Sequence, residues 1–159
     1  MKLAIELIIY CFVFTVLVRF FAGKSPLDCL YFYPKEVQEK VYELKLSDRE
    51  EVKKRRKIFL IVFTGIMAVL LVIIIRYVNG VRDFGTAYLQ SLLFLEAMNW
   101  YDGIMIDRIW VGNDTFWLIE EVKEIPYVQT WEQVLKKRGI LSLIWLAGSL
   151  ITAVVIVVL

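Results

Sequence analysis

Polar side chains interrupt one stretch of this chain that is otherwise apolar. Gln90, Glu96, Asn99 and Asp102 lie within Phe84–Ile106, and Asp107-Arg108 follow directly. At the 100° per residue of an α-helix, Glu96, Asn99, Gly103 and Asp107 fall on one face within about 80°, with Asp102 at its margin. A carboxylate exposed to hydrocarbon costs several kcal/mol, so Glu96 must be neutral, paired or facing a wet cavity. Two readings follow: Glu96 and Asn99 form hydrogen-bonded glue between helices, or the stripe is a ligand or ion site.

Carboxylates of this kind could serve as acid or base, with Arg108 holding an anionic group. A metal centre is not expected. Glu96, Asp102 and Asp107 spread their oxygens over more than two turns and do not form a compact cage for a hard cation. Histidine is absent, which removes the commonest metal ligand and the usual base near neutral pH. Cys11 and Cys29 share no CxxC pattern and are read as ordinary thiols. No glycine-rich phosphate loop, GxSxG elbow or HExxH is present, and no cofactor is implied.

Further charges could meet the stripe. Arg19, near the end of the first apolar run, would stand about level with Asp102 and Asp107 in an antiparallel partner, where it could pair with them or snorkel to lipid phosphates. Glu6 is a candidate partner for Arg76 or Arg82.

The elements that must position these residues are membrane helices. Of 159 residues 59% are hydrophobic, and the mean hydropathy of +0.63 is beyond what a water-soluble core absorbs. The net charge of +2 gives no general basicity for nucleic acid, so the partner expected first is the lipid bilayer. Spanning a core of about 30 Å takes about 20 helical residues, which Leu3–Ala22, Ile58–Val78, Phe84–Ile106 and Ile140–Leu159 provide. Met1-Lys2-Leu3 opens straight into the first run with no small-residue cleavage pattern, so that run is expected to remain as a span. Basic residues concentrate in 23–57 and 107–139. These two segments are therefore predicted to be cytoplasmic, with both termini outside. The Lys53, Lys54, Arg55, Arg56, Lys57 run sets that topology and is also the candidate for anionic lipid headgroups.

The fold class predicted is an all-α membrane protein, a four-transmembrane-helix bundle with a short amphipathic cytoplasmic helix and a small β-hairpin. Val37, Val41 and Leu44 recur at helical spacing after Pro34, as in a helix lying on the membrane surface. Ser47 with Glu50, and Thr130 with Gln133, have capping-box spacing ahead of the second and fourth spans. Gly112-Asn113-Asp114, between Ile109-Trp110-Val111 and Thr115–Ile119, has the form of a hairpin turn, although both tryptophans could instead anchor in the interface.

Ser25-Pro26-Leu27, Leu30-Tyr31-Phe32-Tyr33-Pro34 and the run from Phe94 to Gly112 carry a resemblance. The chain, from its first cytoplasmic segment to its fourth span, resembles a group of small, uncharacterised polytopic membrane proteins of anaerobic Gram-positive bacteria. The resemblance implies a bacterial cytoplasmic membrane and brings no activity with it. The function expected is a non-enzymatic ligand-binding or transport-associated subunit using Glu96, Asn99, Asp102 and Asp107. A homo-oligomer or another membrane protein would then be its partner. The alternative is a small membrane-embedded enzyme working on a lipid-soluble substrate by carboxylate acid/base chemistry.

Overall fold

The computed structural model describes residues 1–159, and every regular element in it is helical. Helix α1 (Lys2–Ala22) leads through a 3-10 turn (Pro26–Phe32) to α2 (Lys35–Glu43). Helix α3 (Arg49–Val72) follows and continues as a π segment, Ile73–Val78. Helix α4 (Phe84–Tyr101) likewise runs on as a π segment, Asp102–Trp110, and closes with one turn, α5 (Val111–Asn113). Two short 3-10 turns, Thr115–Trp117 and Glu120–Val122, precede the long α6 (Trp131–Val158).

Three helices are long and apolar enough to cross a membrane: Lys2–Ala22, Arg49–Val78 and Trp131–Val158. The fourth expected stretch is helical, but it does not reach the apolarity of a span by composition. Its place in the bundle supplies the reason. Helix α4 packs along α6, against α1, and against the π segment of α3. Ala87, Ser91, Phe94, Leu95, Met98 and Asn99 are buried there, so much of its surface meets protein.

The outer helices show the complementary pattern. On α1, Glu6, Tyr10, Phe14, Val18 and Ala22 are buried at every fourth residue, while Ile5, Ile8, Phe12 and Phe20 face outward. Ile61, Val62 and Val69 on α3, and Leu143, Ile144 and Ile151 on α6, do the same. Apolar side chains on both faces of a helix fit lipid outside and protein within. Lipid tails are as apolar as leucine, so close packing rather than hydrophobic transfer joins such helices. Tyr10 edge-on to Phe94 (5.4 Å) and Phe14 edge-on to Phe63 (5.3 Å) are contacts of that kind.

The segments 23–48 and 114–130 fold together as a cap over one end of the bundle. Val37 and Val41 of α2 point into it, onto a core shared with Leu30, Val52, Trp117 and Val122. The apolar face of α2 is thus covered by the cap rather than left open to lipid, and Leu44 alone of its predicted stripe is exposed.

The expected β-hairpin is also absent. The chain stays helical through Asn113, whose Nδ2 donates to Ile109 O (2.6 Å). Asp114 then caps the next turn: Oδ1 accepts from Phe116 N–H (2.9 Å) and Oδ2 from Trp110 Nε1–H (2.9 Å). The turn-forming residues thus end one helix and start another. Trp117, with 2% exposure, fills the cap core and is no interfacial anchor.

The capping box at Thr130 and Gln133 forms as expected. At α3 the cap is Asp48, one residue beyond Ser47, accepting from the Glu50 and Glu51 N–H groups. Gly23, at φ +75, turns the chain out of α1 where a Cβ would stand 2.8 Å from that of Asp28. The Asp28 carboxylate fixes this turn by accepting from Lys24 N–H, Ser25 N–H and Arg55 Nη1 (2.6 Å). Arg55 foremost, with those backbone groups, holds the Asp28 carboxyl below the usual carboxylate range. Burial pushes the Cys29 thiol in the same cap up to about 12.

Candidate ligand site at the cap end of the bundle

The site is built where α4 passes into its π segment beside the start of α6. Glu96 and Asn99, on the last turns of α4, meet Ser142. Ser142 Oγ–H donates to Glu96 Oε2 (2.6 Å) and accepts from Asn99 Nδ2–H (3.2 Å), which also reaches Arg138 O (3.0 Å). One serine hydroxyl, donating once and accepting once, therefore links both members of the stripe.

One turn further on, the backbone geometry changes. In α geometry residues five apart stand about 140° apart around the axis. In the π segment Asp102 and Asp107 are one hydrogen-bonded turn apart, and both reach the same partner. Arg138 Nη1 donates to Asp102 Oδ2 (2.7 Å), and Nη2 donates to Asp107 Oδ2. The same Asp107 oxygen accepts from Lys137 Nζ (3.0 Å) and Gln129 Nε2 (2.9 Å).

Arg138 is 2% exposed, a fully buried guanidinium held between two acids. Gly103 makes room for it: a Cβ there would lie 2.7 Å from Arg138 Nε and 2.8 Å from its Cγ. Pairing of this kind is the condition under which a buried cation is tolerable. The Arg138 Nε and Asn99 Oδ1 atoms have no hydrogen-bond partner within the chain.

Asp102 and Asp107 also line a cavity of about 560 Å³, in the size range of small-molecule sites. Its walls come from α1, the Pro26–Phe32 turn, α3, the α4 π segment and α6. Helix α3 packs on α4 chiefly through its π segment, at the end bearing the chain termini, and the cavity lies toward the cap with both α3 and α6 in its lining. Phe59, Phe63, Leu141 and Trp145 line it with apolar surface, while Arg56, Lys137 and the two aspartates make its cap end polar. Leu60, which also lines the cavity, is 48% exposed.

Other sequence-predicted residues lie elsewhere. Arg19 does not pair with Asp102 or Asp107. It donates to Gly23 O (2.9 Å) and covers the Phe116 ring at 5.0 Å, because the tight turn at Gly23 brings that carbonyl back within its reach. Arg108 turns to Gln129 O (3.2 Å) and the Trp131 ring (5.5 Å). Of the basic run, Lys53 pairs with Glu50, and Arg55 with Asp28 and Glu51. Lys54 and Lys57 are exposed, and Arg56 alone of the run reaches the cavity. Glu6 meets neither Arg76 nor Arg82: its Oε2 accepts from Asn79 Nδ2 (3.0 Å), and Arg76 donates to Val81 O (3.4 Å).

Sequence reasoning missed Arg138, Lys137, Ser142 and Gln129 as parts of the site. The one available signal was the spacing Arg138 to Ser142, which places both on one face of α6 in reach of a polar stripe. Comparison with family models, curated proteins and solved structures finds no match for the chain.

Proposed function

We propose that this chain is a multi-pass protein of a bacterial cytoplasmic membrane that binds an amphiphilic ligand without transforming it. In this reading α4 is the fourth spanning helix, screened from lipid by its neighbours, and the basic residues of 23–57 and 107–139 keep the cap cytoplasmic and both termini outside. The observation that carries the binding function is the cavity whose lining combines apolar side chains with Asp102, Asp107, Lys137 and Arg56. An amphiphile entering between α3 and α6 would keep its tail among Phe59, Phe63 and Trp145 and its polar end at the cap. As a small bundle the protein would act as a subunit of a larger assembly or as a homo-oligomer, which crosslinking in native membranes tests.

The enzymatic alternative draws on the cavity's reach to Asp102 and Asp107. Against it, both carboxylates are engaged by the Arg138 guanidinium, and Glu96 lies off the cavity wall behind Ser142. An acid or base must be free to exchange its proton with substrate.

The test is to fill the cavity. Thr64→Trp on α3 and Leu141→Trp on α6 should each strip the amphiphile that co-purifies with the wild-type chain, measured by mass spectrometry of the extracted lipid. Wild-type protein that carries none, or variants that retain it, would remove the proposal.

A further inference from the structure

We propose that the cavity selects a phosphate-bearing anionic amphiphile, with Arg56 and Lys137 as its headgroup clamp. The inference rests on the amphiphile-binding reading and adds the chemistry of the headgroup.

The charges at the polar end decide it. The acids there are Asp102 and Asp107, and both are already committed. Asp102 accepts from Arg138, and Asp107 Oδ2 alone accepts from Gln129, Lys137 and Arg138. The cations are Arg138, Lys137 and Arg56, an excess of one over the two carboxylates. Arg138 is buried behind the aspartates and has both terminal nitrogens engaged. The unspent donors are therefore those of Arg56, which has no ion-pair or hydrogen-bond partner in the chain, and the remaining protons of Lys137, whose side chain is 47% exposed. A cationic headgroup would find the carboxylates occupied and a surplus positive charge beside them. A phosphate would find two cations lining one cavity, Arg56 from α3 and Lys137 from α6.

Position agrees with charge. Arg56 and Lys137 lie at the cap ends of α3 and α6, where headgroups stand if the cap is cytoplasmic. The slot below them is apolar, so one molecule can place a phosphate at the clamp and a chain between Phe63 and Leu141. Lys54, Lys57 and Lys136 are exposed nearby in sequence and add to the local positive potential.

The experiment titrates the full chain, in nonionic detergent, with dodecyl phosphate, dodecylphosphocholine and inorganic phosphate, and counts bound ligand by native mass spectrometry. Dodecyl phosphate should bind about tenfold tighter than dodecylphosphocholine, the order expected from one added charge-assisted contact. Inorganic phosphate at equal concentration should not displace it. Arg56→Gln, which disturbs no contact within the chain, should weaken dodecyl phosphate binding by close to that factor of about ten and weaken dodecylphosphocholine, whose single phosphate charge is offset by its choline, less. Arg56→Gln with Lys137→Gln should abolish the preference. Equal binding of the two amphiphiles, a preference for phosphocholine, or indifference to Arg56→Gln overturns the clamp while leaving an amphiphile site in place, whereas displacement by inorganic phosphate overturns the amphiphile as the clamp's ligand. Binding of neither amphiphile to the wild-type chain overturns the amphiphile-binding reading, and the clamp with it.

Discussion

The two ends of α4 solve the same problem differently. Toward the chain termini the buried carboxylate is Glu6, and Asn79 answers it, donating 3.0 Å bonds to Glu6 Oε2 and to Gln90 Oε1. Lys2, 61% exposed, stands 3.8 Å away and supplies a screened charge. Toward the cap two carboxylates converge, and a neutral amide no longer suffices. A guanidinium that is 2% exposed takes its place, with a glycine opposite to admit it. One acid near an exposed ammonium tolerates dipolar partners, whereas two acids within reach of one another require a full opposite charge. The cap end is thus the electrostatically costly end, and it is the end with a cavity beside it.

That contrast can be broken most forcefully at Arg138. Arg138→Leu leaves Asp102 without a partner and Asp107 with Lys137 as its only cation, and should cost about 3–5 kcal/mol, the range for removing one partner of a buried pair. Reversible unfolding in mixed micelles measures it. Adding Asp102→Asn and Asp107→Asn to Arg138→Leu should recover much of the loss, and a loss below about 1 kcal/mol for the single variant, the range of a surface pair, would show the cluster to be energetically idle.

A smaller effect is expected at Gly103. Gly103→Ala puts a methyl group within 3 Å of the Arg138 stem and should cost about 1–3 kcal/mol, as for overpacking elsewhere. The same unfolding assay reads it, and a neutral result would mean that Arg138 has room to shift.

The smallest effect belongs to the other end. Glu6→Gln keeps an oxygen for Asn79 and removes only the weak pull of Lys2, so it should change stability by about 1 kcal/mol or less. If it costs as much as Arg138→Leu, the two ends carry equal electrostatic cost.

The helices themselves were legible in the sequence. All four long apolar stretches are helical, because uninterrupted aliphatic runs leave the backbone no other way to satisfy itself in lipid, and the Thr130 and Gln133 pair marks where α6 begins. The polar stripe was legible too, since Glu96 and Asn99 obey the α period and share Ser142. Asp102 and Asp107 did not obey it. Their convergence depends on a change from α to π hydrogen bonding, which local sequence does not announce. The hairpin expected at Gly112–Asp114 failed for a related reason: the same residue types that turn a strand also end a helix, and the side-chain bonds of Asn113 and Asp114 selected the second outcome. Likewise Val37 and Val41 gave α2 an apolar face without saying whether lipid or the cap would cover it.

By itself the sequence determined long apolar helices, three of them long and apolar enough to cross a membrane, one more polar helix, and a basic flank on two segments. Periodicity, length and charge placement are properties of the chain alone, and the cost of unpaired backbone in hydrocarbon leaves them one structural answer. Tertiary structure decided which cation is buried and which remain free. Lys136, Lys137 and Arg138 are equivalent as a basic triplet, yet α6 turns Arg138 between two aspartates, Lys137 to the cavity edge and Lys136 outward. Helix rotation against a neighbour sets those environments, and only the packed bundle contains that rotation.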